Sequence, residues 1–126
     1  MDVRSVLKSE LEETIHLNCL VFRPDGYTRY RQYVEDDCSY QLDQTRVVVV
    51  DKRVVATLRI WERRMRVGSS IVTIGGIGGV CTHPDYRGLG YATALMKNAI
   101  EYMQTANYDI GVLFSIIPGK LDDMKL

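Results

Sequence analysis

The feature that most restricts the fold lies in residues 71–114, where two apolar extended segments flank one helical pattern. Residues 71–82 favour a strand that Pro84 ends, and residues 108–114 favour another strand. From Gly90 onward, apolar residues recur with the spacing of one helix face: Ala92, Leu95, Met96, Ala99, Ile100 and Met103. Strands joined through a helix favour a parallel βαβ crossover. The chain is therefore predicted to be an α/β or α+β protein.

The first half of the chain adds two predicted helices and two predicted strands. Apolar spacing predicts an amphipathic helix over residues 3–22, and the turn residues Pro24-Asp25-Gly26 end it. A short helix is predicted over residues 28–34. The β-branched run at residues 47–50 predicts a buried strand, and residues 54–66 predict an antiparallel partner after a polar turn.

Size and charge limit the classes of function. The 126 residues fit a single domain, 1–126, and sixteen basic and sixteen acidic side chains cancel. This balance argues against nucleic acid or anionic membrane as partners. No apolar run could span a membrane, and the N-terminus does not resemble a signal peptide. Three cysteines without metal-type spacing favour a reducing, cytoplasmic location.

The predicted junction between strand and helix carries the chemistry. Gly88 and Gly90 fall at the helix start, where backbone amides lack partners and favour an anion. No carboxylate lies between Asp85 and Glu101, so a phosphate would meet no local repulsion. A P-loop lysine is missing, and Thr93 replaces the third glycine of a dinucleotide fingerprint. A plain glycine-containing turn that binds nothing is the alternative.

The same junction resembles a known family. The run Arg87-Gly88-Leu89-Gly90-Tyr91-Ala92 fits Gln/Arg-x-x-Gly-x-Gly/Ala, the pyrophosphate-binding motif of the GNAT superfamily of N-acetyltransferases. Residues 80–86 look like the segment that precedes this motif. The glycine run at residues 75–80, after an arginine-rich strand, most resembles the Eis-type branch.

This resemblance implies a fold, a cofactor and an activity. The fold would be a central mixed, largely antiparallel sheet flanked by helices, and the cofactor would be acetyl-CoA. Backbone groups of Val80, Cys81 and Thr82 would pair with pantetheine, and an N–H at Cys81 or Thr82 would stabilise an oxyanion. A primary amine of a small molecule or peptide would attack the thioester directly. Pyrophosphate would be held by the amides of Arg87, Gly88, Leu89, Gly90, Tyr91 and Ala92, with the Thr93 hydroxyl as a further donor.

The sequence departs from the family after the last predicted strand. The family's tyrosine acid, last helix and final hairpin have no counterpart in residues 114–126, so the acid role is assigned to no residue. Two expectations follow. A non-catalytic acyl-CoA-binding or assembly module is the alternative function, and a homodimer is expected to cover the exposed edge of strand 108–114.

Several other side chains invite functional readings. Cys81 could be a nucleophile but is expected to be a buried, inert thiol. His83 could be a base, although an exposed loop residue is the favoured interpretation. His16 lacks further metal ligands. Glu35 is the candidate base, within an acidic triplet, 35–37, that could attract an amine and is otherwise simply solvated. Four arginines could bind the CoA 3′-phosphate or nucleic acid, and otherwise form a solvated strand face: Arg59, Arg63, Arg64 and Arg66.

Overall fold

The computed structural model describes residues 1–113, which form one five-stranded sheet with helices on both faces. The strands are β1 (Asp2–Ser5), β2 (Thr45–Val50), β3 (Arg53–Val67), β4 (Ser70–Thr82) and β5 (Ile110–Leu113). The helices are α1 (Leu11–Val21), α2 (Tyr27–Glu35) and α3 (Tyr91–Thr105), with 3-10 turns at Lys8–Glu10, Leu42–Gln44 and Pro84–Tyr86. None of the described helices has the length and apolar character needed to cross a membrane.

The sheet order is β1-β2-β3-β4-β5, and only the β4–β5 pair is parallel. This topology confirms the predicted mixed, largely antiparallel sheet and the crossover through α3. The polar turn between β2 and β3 is also confirmed, with Asp51 and Lys52 both at positive φ (49° and 64°). A two-residue turn with both residues at positive φ has the twist that the two flanking strands of a hairpin require.

The predicted helix over residues 3–22 was wrong at its start. Asp2–Ser5 is a strand that pairs antiparallel with β2, with Asp2 opposite Val49. The helix begins only at Leu11, after a 3-10 turn. The edge of the valine-rich β2 needs a pairing partner, and that long-range demand overrides the helical spacing at Val3 and Leu7.

Each face of the sheet has its own apolar core. On one face, Leu95 and Ala99 of α3 are fully buried against Leu58 and Ile60 of β3. On the other, Leu17 of α1 packs in a cluster with the alternate residues of β2. Complete burial of each large aliphatic side chain contributes about 1.5–3 kcal/mol, which fixes α1 and α3 against the sheet.

The β3–β4 hairpin extends well beyond its neighbours. Pairing of β2 with β3 stops at Arg59, and β5 pairs only with residues 74–77 of β4. The strand predicted over residues 108–114 begins later, at Ile110, because the Tyr108 amide still donates to the Met103 carbonyl at the end of α3, at 2.9 Å. Phe114 lies outside the described residues. Residues 63–67 at the far end of β3 are consequently exposed.

Candidate functional site

The site begins at a bulge in β4. Thr57 of β3 lies opposite Cys81, whereas Arg59 lies opposite Gly78, so β4 carries one extra residue between them. Gly79 at the bulge has φ +63°, which a side chain would strain, and the atom nearest to its missing Cβ is Asn18 Oδ1 at 3.9 Å. The bulge was not predicted, although the Gly78-Gly79 pair was its sequence signal.

The described pairing of β4 with β5 ends before the bulge. Within residues 1–113, the pairing with β5 covers residues 74–77 of β4, and Val80, Cys81 and Thr82 follow it. The same stretch stays attached to β3, because the His83 amide donates to the Val55 carbonyl at 2.7 Å. An extended, amide-bearing ligand can pair with such a strand edge.

The turn after β4 is held by His83. Its Nδ1 accepts a hydrogen bond from the Asp85 amide at 3.1 Å, and its ring meets Tyr86 edge-to-face. The side chain is 21% exposed. The interpretation of His83 as an exposed loop residue was therefore wrong, since the imidazole caps the 3-10 turn that leads into the motif.

The start of α3 has backbone donors without a partner in the helix. The first bond of the helix runs from the Ala94 amide to the Gly90 carbonyl, so the amides of Tyr91, Ala92 and Thr93 precede the first helical turn. Gly88 and Gly90 adopt φ of +78° and +82°, and no atom lies within 4 Å of a Cβ at either position. The first turn contains no acidic residue. A phosphate therefore fits this helix start sterically and electrostatically.

The predicted motif residues come together at one end of the sheet. Arg87 Nε donates to the Thr82 carbonyl at 3.3 Å, linking the strand end to the glycine turn. Leu89 is 61% exposed and packs no core. The strand edge and the helix start are thus neighbouring parts of one surface.

Helix α1 lies against the bulge from the opposite face to α3. Cys81 is 4% exposed, and its thiol donates to Asn18 Oδ1 at 3.4 Å. The burial expected for Cys81 is confirmed. A place for Asn18 in the site was not predicted, because one polar residue inside an apolar stripe gives no sign of which residues it contacts. Its side-chain amide therefore places a polar group of α1 beside the bulge.

The acidic triplet divides into two environments. Glu35 at the end of α2 is 53% exposed and pairs with Arg31 Nε at 2.7 Å. Asp37 is nearly buried and pairs with Arg59 at 2.7 Å. Burial raises the pKa of Asp37, but the Ser39 amide and the charges of Arg63 and Arg59 outweigh it, so the pKa lies below its ordinary value. The interpretation of Asp37 as a simply solvated residue was therefore wrong.

The arginine cluster is also divided. Arg59 is 11% exposed, and its guanidinium carbon lies 3.5 Å from the centroid of the Trp61 ring and 4.5 Å from that of Tyr40. Burial lowers the pKa of Arg59, with Asp37 opposing that shift. The prediction of a solvated face is wrong for Arg59. It is confirmed for the exposed members further along β3, Arg63, Arg64 and Arg66.

The histidine on α1 lies at the surface beside an acidic side chain. His16 is exposed and lies 3.7 Å from Glu12. Within the described residues, no group of three or more histidine, cysteine or acidic side chains could hold a metal ion.

One family model matches nearly the whole chain. The model described as an acetyltransferase (GNAT) domain matches residues 2–121. No protein with curated annotation matches the chain significantly.

Solved structures share the fold. A transcriptional regulator from Bacillus halodurans C-125 superposes with a TM-score of 0.73 at 19% identity, covering 96% of this chain and 85% of that one. The aminoglycoside N-acetyltransferase AAC(6')-Iy, solved in complex with CoA, has a TM-score of 0.73 at 16% identity, over 97% and 80% of the two chains.

A third similar structure is much longer than this chain. The GCN5-related N-acetyltransferase from Kribbella flavida has a TM-score of 0.71 at 24% identity, covering 97% of this chain but only 32% of its own. At these identities the similarities establish the architecture and leave the substrate open.

Proposed function

The chain belongs to the GNAT acetyltransferase domain family, and from that premise we propose that it moves an acetyl group from acetyl-CoA to a primary amine. The observation that carries the proposal is that the end of β4 and the start of α3, where amides have no intrahelical partner, are neighbouring parts of one surface. The end of β4 leads through the 3-10 turn at Pro84–Tyr86 and the glycine turn to the amides at the start of α3. A CoA molecule has the matching chemistry, a diphosphate followed by an arm with two amide groups.

Each part of the surface would hold one part of the cofactor. Backbone groups of Val80, Cys81 and Thr82 would pair with the pantetheine arm, and the Thr93 hydroxyl would add a donor. The pyrophosphate would be bound by the amides of Arg87, Gly88, Leu89, Gly90, Tyr91 and Ala92, at the positive end of α3. The positive φ at Gly88 and Gly90 supports close approach of the phosphates.

The proposed reaction is direct acyl transfer. The amine lone pair attacks the thioester carbonyl carbon and forms the new C–N bond, and the C–S bond breaks. The nitrogen loses one proton to the base, and the thiolate takes one proton from solvent and leaves as the CoA thiol. An amide N–H at Cys81 or Thr82 would stabilise the developing oxyanion. Glu35 is our candidate base for the amine, and its exposure beside Arg31 leaves it accessible to small-molecule or peptide acceptors.

Binding and turnover can be measured separately. Calorimetry with acetyl-CoA and CoA tests the binding surface, and thiol release with a panel of amines tests transfer. We expect both to be positive in the wild type. Binding without thiol release would favour the alternative, a non-catalytic acyl-CoA-binding or assembly module. Absence of CoA binding would contradict both functions.

The remaining assignments are also proposals. We place the chain in the Eis-type branch because of its glycine run at residues 75–80, and treat residues 1–126 as one domain of a cytoplasmic protein. We propose a homodimer through β5, whose Ile110 and Val112 are 45% and 39% exposed at the edge of the described sheet. A monomer in light scattering across a wide concentration range would exclude it.

A further inference from the structure

A second strand edge lies on the far half of β3. The pairing of β2 with β3 ends where Thr45 meets Arg59, and within residues 1–113 no strand pairs with that side of β3 beyond it. On its other side, β3 continues to pair with β4 up to the hairpin turn. Residues 62–67 therefore form a half-paired strand at the surface, which we call the β3 edge.

The register shows which backbone groups face outward. The two-residue turn at Gly68-Ser69 is closed by the pair Val67 and Ser70, and the closing pair of such a hairpin is hydrogen-bonded. Because bonding alternates along an antiparallel pair, Arg63 and Met65 also bond to β4. The amides and carbonyls of the alternate residues then point away from β4: Glu62, Arg64 and Arg66. A side-chain hydrogen bond is consistent with this register, since the Glu62 carbonyl accepts a bond from Arg63 Nη1 at 2.7 Å.

The side chains of the β3 edge differ between the two faces. Arg64 and Arg66 project from one face, are exposed, and make no ion pair within the described part of the chain. Met65 and Val67 project from the other face and are 52% and 53% exposed. No acidic residue follows Glu62 until Asp85. One face of the edge thus carries Arg64 and Arg66 beside Glu62, and the other carries Met65 and Val67 beside Arg63.

We propose that the β3 edge binds an extended acidic segment of another polypeptide as an added strand. Acidic residues on one face of that segment would meet Arg64 and Arg66, and apolar residues on the other would cover Met65 and Val67. The loop at Cys38–Gln41 borders the near end of the edge, in an open groove shared with Glu62, Arg63 and Arg64. The bound strand would therefore span residues 62–67, about six residues.

Charge selects this occupant over a second copy of the chain. Each β3 edge carries three arginines and one glutamate, so edge-to-edge pairing of two copies would bring together more arginines than the two Glu62 side chains can neutralise, and like charges across a strand pair are destabilising. The carboxylates of an acidic partner would instead be attracted by the same arginines. The proposal is independent of acetyl-CoA binding, because the edge lies beyond Arg59, whereas the bulge lies before it.

The test uses the full chain and three capped peptides. The first alternates glutamate and valine over six residues, the second alternates lysine and valine, and the third repeats the first with N-methylated amides on its pairing side. We expect only the first to bind by calorimetry, more weakly as NaCl is raised. It should slow hydrogen exchange at the amides of Glu62, Arg64 and Arg66.

Two variants test whether the first peptide binds at the β3 edge. The double charge reversal Arg64→Glu, Arg66→Glu should weaken the first peptide about tenfold, the equivalent of two exposed ion pairs. Arg29→Glu, an equally exposed change on α2, should leave binding unchanged. Equal binding of the lysine or N-methylated peptide would overturn the proposal, as would no binding or no protection at the three amides. Sedimentation showing wild-type copies associating through this edge, lost in the double variant, would also overturn it.

Discussion

Arg59 Nη2 donates a hydrogen bond to Asp37 Oδ2 at 2.7 Å, between side chains that are 11% and 14% exposed. The pair fastens the loop after α2 to the middle of β3. Asp37→Asn should lower the free energy of unfolding by on the order of 3 kcal/mol, because it leaves a nearly buried guanidinium without its counter-charge. Urea unfolding measures this. Asp36→Asn, on the exposed neighbouring residue, is the matched control, and an equal loss in both variants would disprove the role of the pair.

Acid should destabilise the protein partly through Glu10. Arg4 donates to both carboxylate oxygens of Glu10 at 2.9 Å, and this hydrogen bonding lowers the pKa of Glu10 despite partial burial. The stabilisation is therefore present above the unfolded pKa of about 4.3 and is lost as the pH falls through the folded value. Urea unfolding between pH 7 and pH 3 should show a shallower acid slope in Glu10→Gln than in wild type. An unchanged slope would contradict the linkage, and Glu101→Gln is the exposed control.

Glu13 connects α1 to an irregular point in β3. The register of β2 and β3 shifts between Val48 and Val49, and the Val54 amide donates to Glu13 Oε2 at 2.6 Å. Glu13→Ala should cost about 1–3 kcal/mol in unfolding free energy, because a buried amide loses its acceptor. Thermal and urea unfolding measure the change. Glu12→Ala, the exposed neighbour, should cost less, and the reverse order would contradict this account.

Gly75 has no room for a methyl group. A Cβ there would lie 2.5 Å from both Met103 Sδ and a Tyr108 ring carbon, whereas at Gly111 it would lie 3.3 Å from the flexible end of Met103. Gly75→Ala should therefore destabilise by about 1–3 kcal/mol, the usual cost of overpacking. Gly111→Ala should cost clearly less, and equal melting temperatures for the two variants would show that Tyr108 moves aside freely.

Variants at Gly90 and Gly68 distinguish an effect on ligand binding from an effect of backbone strain. Both have positive φ, +82° and +61°, and both have open space where a Cβ would lie. A valine at either position should carry a similar strain of about 1–2 kcal/mol. Only Gly90→Val should lose the rise in melting temperature that CoA produces, because only it blocks the proposed phosphate site. Loss in both variants, or in neither, would contradict the assignment.

The crossover, the hairpins and the motif could be predicted because their signals are local. The helical stripe after Gly90, the β-branched run at 47–50 and the polar turn at Asp51-Lys52 each act within a few residues of themselves. The start of the chain could not be predicted in this way. Whether residues 2–5 form a strand depends on β2, far away in sequence.

The site was predictable to a similar extent. The glycine spacing at residues 88–90 identified the helix start, but the bulge at Gly79 depends on the register of two strands. The residues next to Asn18 in sequence give no sign that it contacts Cys81. In the same way, the sequence does not distinguish the nearly buried Arg59 from the exposed arginines that follow it along β3. Pairings across the sheet decide these environments, and a single sequence does not display them.

The placement of β1 has a consequence for the order of folding. The β2–β3 and β3–β4 hairpins close through two-residue turns, whereas β1 must find Val49 from about 45 residues away. The closure of that long loop makes the docking of Asp2–Ser5 a late event, and until it occurs the hydrophobic margin of β2 stays open to other chains. Shortening the N-terminus by a few residues should thus increase aggregation during refolding more than it slows the formation of the central hairpins.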